Sequence, residues 1–165
     1  MPFASLLKVK WQSRGGRKVK INTASQAISL GTNLEDKSGD FYRALAQRYP
    51  QSKELFLSLA QENSKNVTKV KRAYYGVISD ALEGCFSFSG LNTDDYSIET
   101  DLPEGTGYSD ALRMAVVIEE KIIKFYLDGA EKSKALMADV PRAFLLVAKK
   151  RRERIPKLES LLEEG

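Results

Sequence analysis

The sequence predicts an all-α fold in which two copies of a helical hairpin are joined by a long crossover. Three observations carry this expectation. First, a motif recurs: residues 35–42 read Glu-Asp-Lys-Ser-Gly-Asp-Phe-Tyr and residues 119–126 read Glu-Glu-Lys-Ile-Ile-Lys-Phe-Tyr. A second match follows each copy. Phe56 to Ala60 corresponds to Phe144 to Ala148, and it continues through Val67 with Ile155, Lys69 with Lys157 and Val70 with Leu158. Self-similarity of this kind marks a repeated structural unit. Second, the apolar residues of each segment recur with a helical period. Third, the stretch between the two copies is rich in glycine and polar residues.

In chain order, residues 1–22 read as a basic arm carrying Lys8, Lys10, Arg14, Arg17, Lys18 and Lys20, with no acid before Glu35. Such a run contacts nucleic acid or an anionic surface in some proteins and is a solvated face in more of them. Residues 23–165 read as the helical domain. Thr23 and Gln26 have the spacing of a capping box, which places a helix start there. The first helix then buries Ala27, Ile28, Leu34, Phe41, Tyr42 and Leu45 along one stripe. Pro50 punctuates the turn to a second helix with a stripe through Leu55, Leu59, Val67 and Val70. Residues 84–108 contain Gly84, Gly90, Pro103, Gly105 and Gly107 and read as a crossover without regular structure. Within it, Cys85-Phe86-Ser87-Phe88 alternates as a short extended segment does. The third stripe includes Leu112, Ala115, Ile122 and Tyr126, and the fourth Phe144, Val147, Leu158 and Leu161. A short joint near Asp139 precedes Pro141, which sits where a first-turn proline is tolerated. Pro156 removes a backbone donor inside the fourth helix, and a bend is expected there.

Composition narrows the chemistry. The chain has 165 residues, 42% of them apolar and 29% charged, with a net charge of +4. That suits one domain with a full core. Neither a ~20-residue apolar span nor a secretory leader is legible, so a cytoplasmic protein is expected. There is no histidine, which excludes every mechanism that needs an imidazole base and every metal site that needs an imidazole ligand. The single cysteine, Cys85, excludes thiolate clusters within one chain and reads as a small apolar residue.

The informative residues are polar ones on the apolar stripes. Glu35 lies between Ile28 and Tyr42, and Glu119 between Leu112 and Tyr126. The second stripe passes through Asn63 and Asn66, and the fourth through Arg151 and Arg154. Charges on a buried stripe are costly unless paired. The neighbouring acids Glu62 and Glu153 are one residue off these stripes, a rotation of ~100° that turns them away from the interior unless a register shift or a kink, such as Pro156 offers the fourth helix, brings them back.

Taken together, Glu35 with Tyr42, Glu119 with Tyr126, and the two hairpins resemble the rubrerythrin and ferritin-like di-iron family over about residues 23–162. The resemblance implies a ferritin-like four-helix bundle and a homodimer. In that family the second and fourth helices each carry Glu-x-x-His directed at the metals. Here the corresponding positions are Asn63 with Asn66 and Arg151 with Arg154, and the Cys-x-x-Cys pairs of a rubredoxin domain are absent. The expectation is that arginine charge replaces metal charge beside Glu35 and Glu119, with Tyr42 and Tyr126 close by and no metal cofactor. Three function classes follow: a non-catalytic scaffold or interaction module, an atypical iron or manganese oxidoreductase acting on peroxide or ferrous iron, and a binder of nucleic acid or an anionic surface through the basic arm.

Overall fold

A computed structural model describes residues 20–76, 91–133 and 139–165. A two-residue strand, β1 (Lys20–Ile21), precedes helix α1 (Ala24–Arg48), and a 3-10 turn over Pro50–Ser52 leads into α2 (Lys53–Tyr75). Strand β2 (Leu91–Asn92) runs into a 3-10 turn over Thr93–Tyr96, and α3 (Tyr108–Ser133) follows. Helices α4 (Asp139–Arg152) and α5 (Arg154–Glu164) complete the described chain, which is all-α apart from the two short strands. Among the described residues no helix is long and apolar enough to cross a membrane.

Local chemistry sets these boundaries. Thr23 Oγ1 accepts a bond from the Gln26 backbone N–H at 3.1 Å. Gln26 Oε1 in turn accepts from the Thr23 and Asn22 backbones at 3.3 and 2.8 Å. The reciprocal cap satisfies donors that the first helical turn leaves open. At the other end, Tyr49 leaves helical geometry with φ −123° and ψ 82°, as the residue before a proline is driven to do. Pro156 lacks an N–H, and its ring would meet the carbonyl of Arg152 in a continuous helix. The expected bend is therefore an interruption, with Glu153 as the joint between α4 and α5.

Helix α1 packs along α2, and α3 packs along α4 and α5, while α2 also meets α4 and α1 meets α3. The stripes of α1 and α3 are buried at every position read from the sequence. In α2 the buried apolar positions are Phe56, Leu59, Ala60, Val70 and Tyr74, and Leu55 and Val67 are only partly covered. Phe144, Val147 and Leu158 are buried and Leu161 partly so. At one end of the core Phe125 packs on Tyr126, Phe144 and Tyr96 with ring centroids 5.1, 5.9 and 5.4 Å apart. Phe144 also lies over Gly129, where an added Cβ would come within 2.7 Å of its ring. Only glycine permits that approach.

The connection between the hairpins differs from its expected lack of regular structure. Its described part pairs β2 antiparallel with β1, Ile21 opposite Leu91 and Lys20 opposite Asn92. Ile21 and Leu91 are both buried, so the end of the basic arm, Lys20–Ile21, is part of the packed body. Arg48 donates to the carbonyls of Pro103 and Leu102 at 2.6 and 3.2 Å, and Tyr49 Oη to that of Thr106 at 2.7 Å. Tyr96 Oη donates to Asp128 at 2.7 Å, and Lys124 pairs with the same carboxylate at 2.6 Å. The crossover is thus held in part through backbone carbonyls that irregular chain leaves open and in part through the Tyr96 side chain. Cys85-Phe86-Ser87-Phe88 and the arm cations Lys8, Lys10, Arg14, Arg17 and Lys18 lie outside the described residues.

Candidate functional site

The six polar positions read from the stripes converge. Glu35, Asn63, Asn66, Glu119, Arg151 and Arg154 are all buried, and so are Tyr42 and Tyr126. Glu35 and Tyr42 are seven residues apart on α1, as Glu119 and Tyr126 are on α3, so each pair shares a face two turns apart. The pairs are joined crosswise. Tyr42 Oη donates to Glu119 Oε1 at 2.6 Å, and Tyr126 Oη donates to Glu35 Oε1 at 2.8 Å. Each hairpin's tyrosine therefore serves the other hairpin's acid.

Arg151 occupies the space between the two carboxylates. Its Nη2 and Nε donate to Glu35 Oε2 and Oε1 at 2.6 and 3.1 Å, the forked geometry of a bidentate pair. Its Nη1 donates to Glu119 Oε2 at 2.6 Å. Nη2 also reaches Ser38 Oγ and Asn63 Oδ1, each at 3.2 Å. Arg154 completes the charge balance by donating from Nη1 to Glu119 Oε1 at 3.0 Å. Two buried acids thus face two buried guanidinium groups, and no oxygen of either acid lacks a donor.

The asparagines tie this charge cluster to the helices. Asn63 Nδ2 donates to Ser38 Oγ at 2.8 Å and to the Glu35 carbonyl at 3.0 Å. Asn66 Nδ2 reaches Glu35 Oε2 at 3.5 Å, a long bond. Arg154 is the less completely satisfied arginine. Its Nη2 lies 3.5 Å from the Leu59 carbonyl, and its Nε has no hydrogen-bond partner among the described residues.

Two participants escape the sequence reading. Glu62 was expected to turn away from the interior, but it joins the network from its edge. Arg154 Nη2 lies 3.3 Å from Glu62 Oε2, whose side chain is 29% exposed. Glu62 stays on the flank of α2, and the arginine is long enough to reach it there. Ser38 gave one signal: it stands at the repeat position occupied by Ile122 in the second copy, so a polar residue replaces an apolar one on a buried face. Glu153, by contrast, is exposed.

Electrostatics follow from this geometry. Burial pushes the Glu119 carboxyl up, but Arg151 and Arg154 outweigh it and hold the group below the usual carboxylate range. Burial also opposes charge on Arg151, yet Glu119 and Glu35 raise its affinity for the proton well above the ordinary value. Burial, then Glu119 as neighbour, pushes the Tyr42 phenol well up; burial and Glu35 do the same to Tyr126. Both tyrosines are held as neutral donors.

The donor set does not suit a dinuclear metal centre. Such a site needs several anionic or neutral lone pairs turned toward a common point. Here the oxygens of both carboxylates are taken up by guanidinium and phenol protons, and a cationic side chain fills the space between them. Among the described residues no three of the types His, Cys, Asp or Glu converge as metal ligands. Comparisons with protein-family models, with curated proteins and with solved structures find no match.

Proposed function

We propose that the chain is a four-helix bundle of the ferritin-like, rubrerythrin-type arrangement whose di-iron site is replaced by a Glu/Arg/Asn network. On this reading it acts as a non-catalytic scaffold or interaction module, and the resemblance carries with it a homodimer. The observation that carries the reading is Arg151, fully buried and bonded to both Glu35 and Glu119 from the position where the family resemblance expects a metal ligand. One guanidinium supplies the positive charge and the bridging contacts between the two hairpins, so the acids are stabilised with no metal required. The same saturation argues against chemistry at this site. Every carboxylate oxygen already accepts from a guanidinium or a phenol, and both tyrosines are engaged as hydrogen-bond donors.

The test is metal stoichiometry. The purified protein is incubated anaerobically with excess ferrous iron, freed of unbound metal and analysed for iron per chain; a parallel sample receives manganese. A value near zero is expected for both. A value near two irons per chain would overturn the proposal and restore the oxidoreductase reading, with peroxide reduction as the next assay.

A further inference from the structure

Outside the buried network, two helical stretches carry cations without acids. The half of α2 that runs from Asn63 to Tyr75 carries Lys65, Lys69, Lys71 and Arg72 and no acid. From Val140 to Arg152, α4 carries Arg142, Lys149, Lys150, Arg151 and Arg152 and again no acid. These two stretches are neighbours. Arg151 bonds Asn63, and Arg154, farther along the chain, reaches back to Leu59, so α4 runs antiparallel to α2. Of the cations, Arg151 alone is spent inside. Lys65, Arg72, Lys149 and Lys150 are exposed, and Lys69 is half-covered.

The seam between the helices concentrates this charge. Lys69 keeps its proton less tightly than an ordinary lysine, first because it is partly desolvated and second because Lys150 faces it across the seam. The acid that Lys69 also feels, Glu62, is already engaged by Arg154. Two cations held face to face without an intervening acid repel, and a polyanion laid along the seam relieves that repulsion. Beside it runs a shallow groove of about 570 Å³ lined by Gln61, Ser64, Lys65, Thr68, Lys69 and Arg72. Its amide and hydroxyl groups are the neutral donors that accompany cations on phosphate oxygens.

We infer that the α2–α4 seam, through Lys65, Lys69, Arg72, Lys149 and Lys150, is a docking surface for the phosphate backbone of a nucleic-acid duplex. The face points to a duplex rather than a single strand because its groove has no aromatic side chain on which a base would stack. It favours nucleic acid over a lipid surface because the exposed apolar residues nearby, Leu145 and Leu146, form no apolar stripe of the width an interfacial helix buries. Contacts to phosphate alone carry no sequence information, so binding is expected to be sequence-independent. This inference is separate from the reading of the core, since none of the seam residues belongs to the network.

The test uses the full chain and a fluorescein-labelled duplex DNA of random sequence, titrated by anisotropy at several salt concentrations. Binding that weakens linearly in log–log form with salt is expected. The variant Lys65→Gln/Arg72→Gln/Lys150→Gln changes exposed side chains and is checked for an unchanged melting temperature. Its salt slope should fall by about 0.9 per lost contact, with roughly tenfold or greater loss of affinity at low salt. A control, Arg43→Gln/Arg113→Gln, removes two cations already paired with Asp40 and Asp110 on other helices and should leave binding nearly unchanged. Equal loss in the control, or binding abolished only by replacing Lys8, Lys10, Arg14, Arg17 and Lys18, would overturn the seam as the site. Binding to vesicles containing anionic lipid with none to the duplex would overturn the choice of partner.

Discussion

The two hairpins of this chain are built to one plan and then made unequal at their centre. The first gives Glu35 and Tyr42 from α1; the second gives Glu119 and Tyr126 from α3, and the phenols cross to the opposite acids at 2.6 and 2.8 Å. To that point the halves are interchangeable. At the repeat positions on the partner helices they diverge: Asn63 and Asn66 on α2 stand against Arg151 on α4 and Arg154 on α5. Both negative charges come one from each hairpin, but both positive charges come from the second alone. A repeated pair of buried acids is thus stabilised by an unrepeated partner. One guanidinium, from one hairpin, spans both acids, and the asparagines accept and donate around it.

That asymmetry predicts a steep ranking among repeat-related residues. Arg151→Ala leaves Glu35 and Glu119 facing each other in a dry interior, and removing one partner of a buried ion pair typically costs on the order of 3–5 kcal/mol. Urea denaturation of the purified variant measures this directly. A variant as stable as the parent would show that the network contributes little and that the acids find other partners. Asn63→Ala, at the matching position of the first hairpin, removes no charge. It strips partners from Ser38, the Glu35 carbonyl and Arg151, and a loss of about 1–3 kcal/mol is expected for buried groups left unsatisfied. Equal costs for the two variants would show that the two hairpins contribute alike.

The core of this arrangement was legible because the repeat put Glu35 and Glu119 in register with residues that had to be buried. Periodicity then carried Asn63, Asn66, Arg151 and Arg154 to the same face. What lay beyond reach depended on long side chains and on chain brought together from afar. Arg154 reaches Glu62 across a helix ridge, which helix rotation alone cannot report. The pairing of Ile21 with Leu91 involves two-residue strands, too short for any period to show. The break at Glu153 was legible as a bend from Pro156, but the joint falls three residues earlier, where the proline ring meets the preceding turn. The crosswise tyrosine bonds are a property of the assembled helices and leave no mark on either segment alone.

A pH profile separates the acids from the phenols. Glu119 is held below the usual carboxylate range by Arg151 and Arg154, so its contribution to stability is complete above the unfolded-state value of about 4.3. It is lost as pH falls from there through the lower folded-state value. Melting temperature should therefore drop on acidification below about pH 4.3, and less steeply in Glu119→Gln, which has no such proton to gain. Tyr42 and Tyr126 act at the other extreme. Their raised values keep stability intact below the ordinary phenol value of about 10 and erode it above, as the unfolded chain releases protons that the folded chain holds. Identical acid slopes in the parent and Glu119→Gln would show that the charge on this residue is not what Arg151 and Arg154 stabilise.

The smallest effect belongs to Asn66, and it is the most discriminating. By the repeat, Asn66 stands where the second hairpin has Arg154, yet its only bond to the acids is the 3.5 Å contact with Glu35 Oε2, an oxygen already served by Arg151 at 2.6 Å. A bond at the limit of useful length, to an oxygen that already accepts a short charge-assisted bond, adds little. Asn66→Ala is therefore expected to cost less than about 1 kcal/mol, clearly below Asn63→Ala. The order Arg151, Asn63, Asn66 would follow from where each side chain stands relative to the single bridging guanidinium. If Asn66→Ala instead matched Arg151→Ala, the first hairpin would be supplying as much of the stabilisation as the second. The unequal partnership read from the distances would then have to be replaced by a symmetric one.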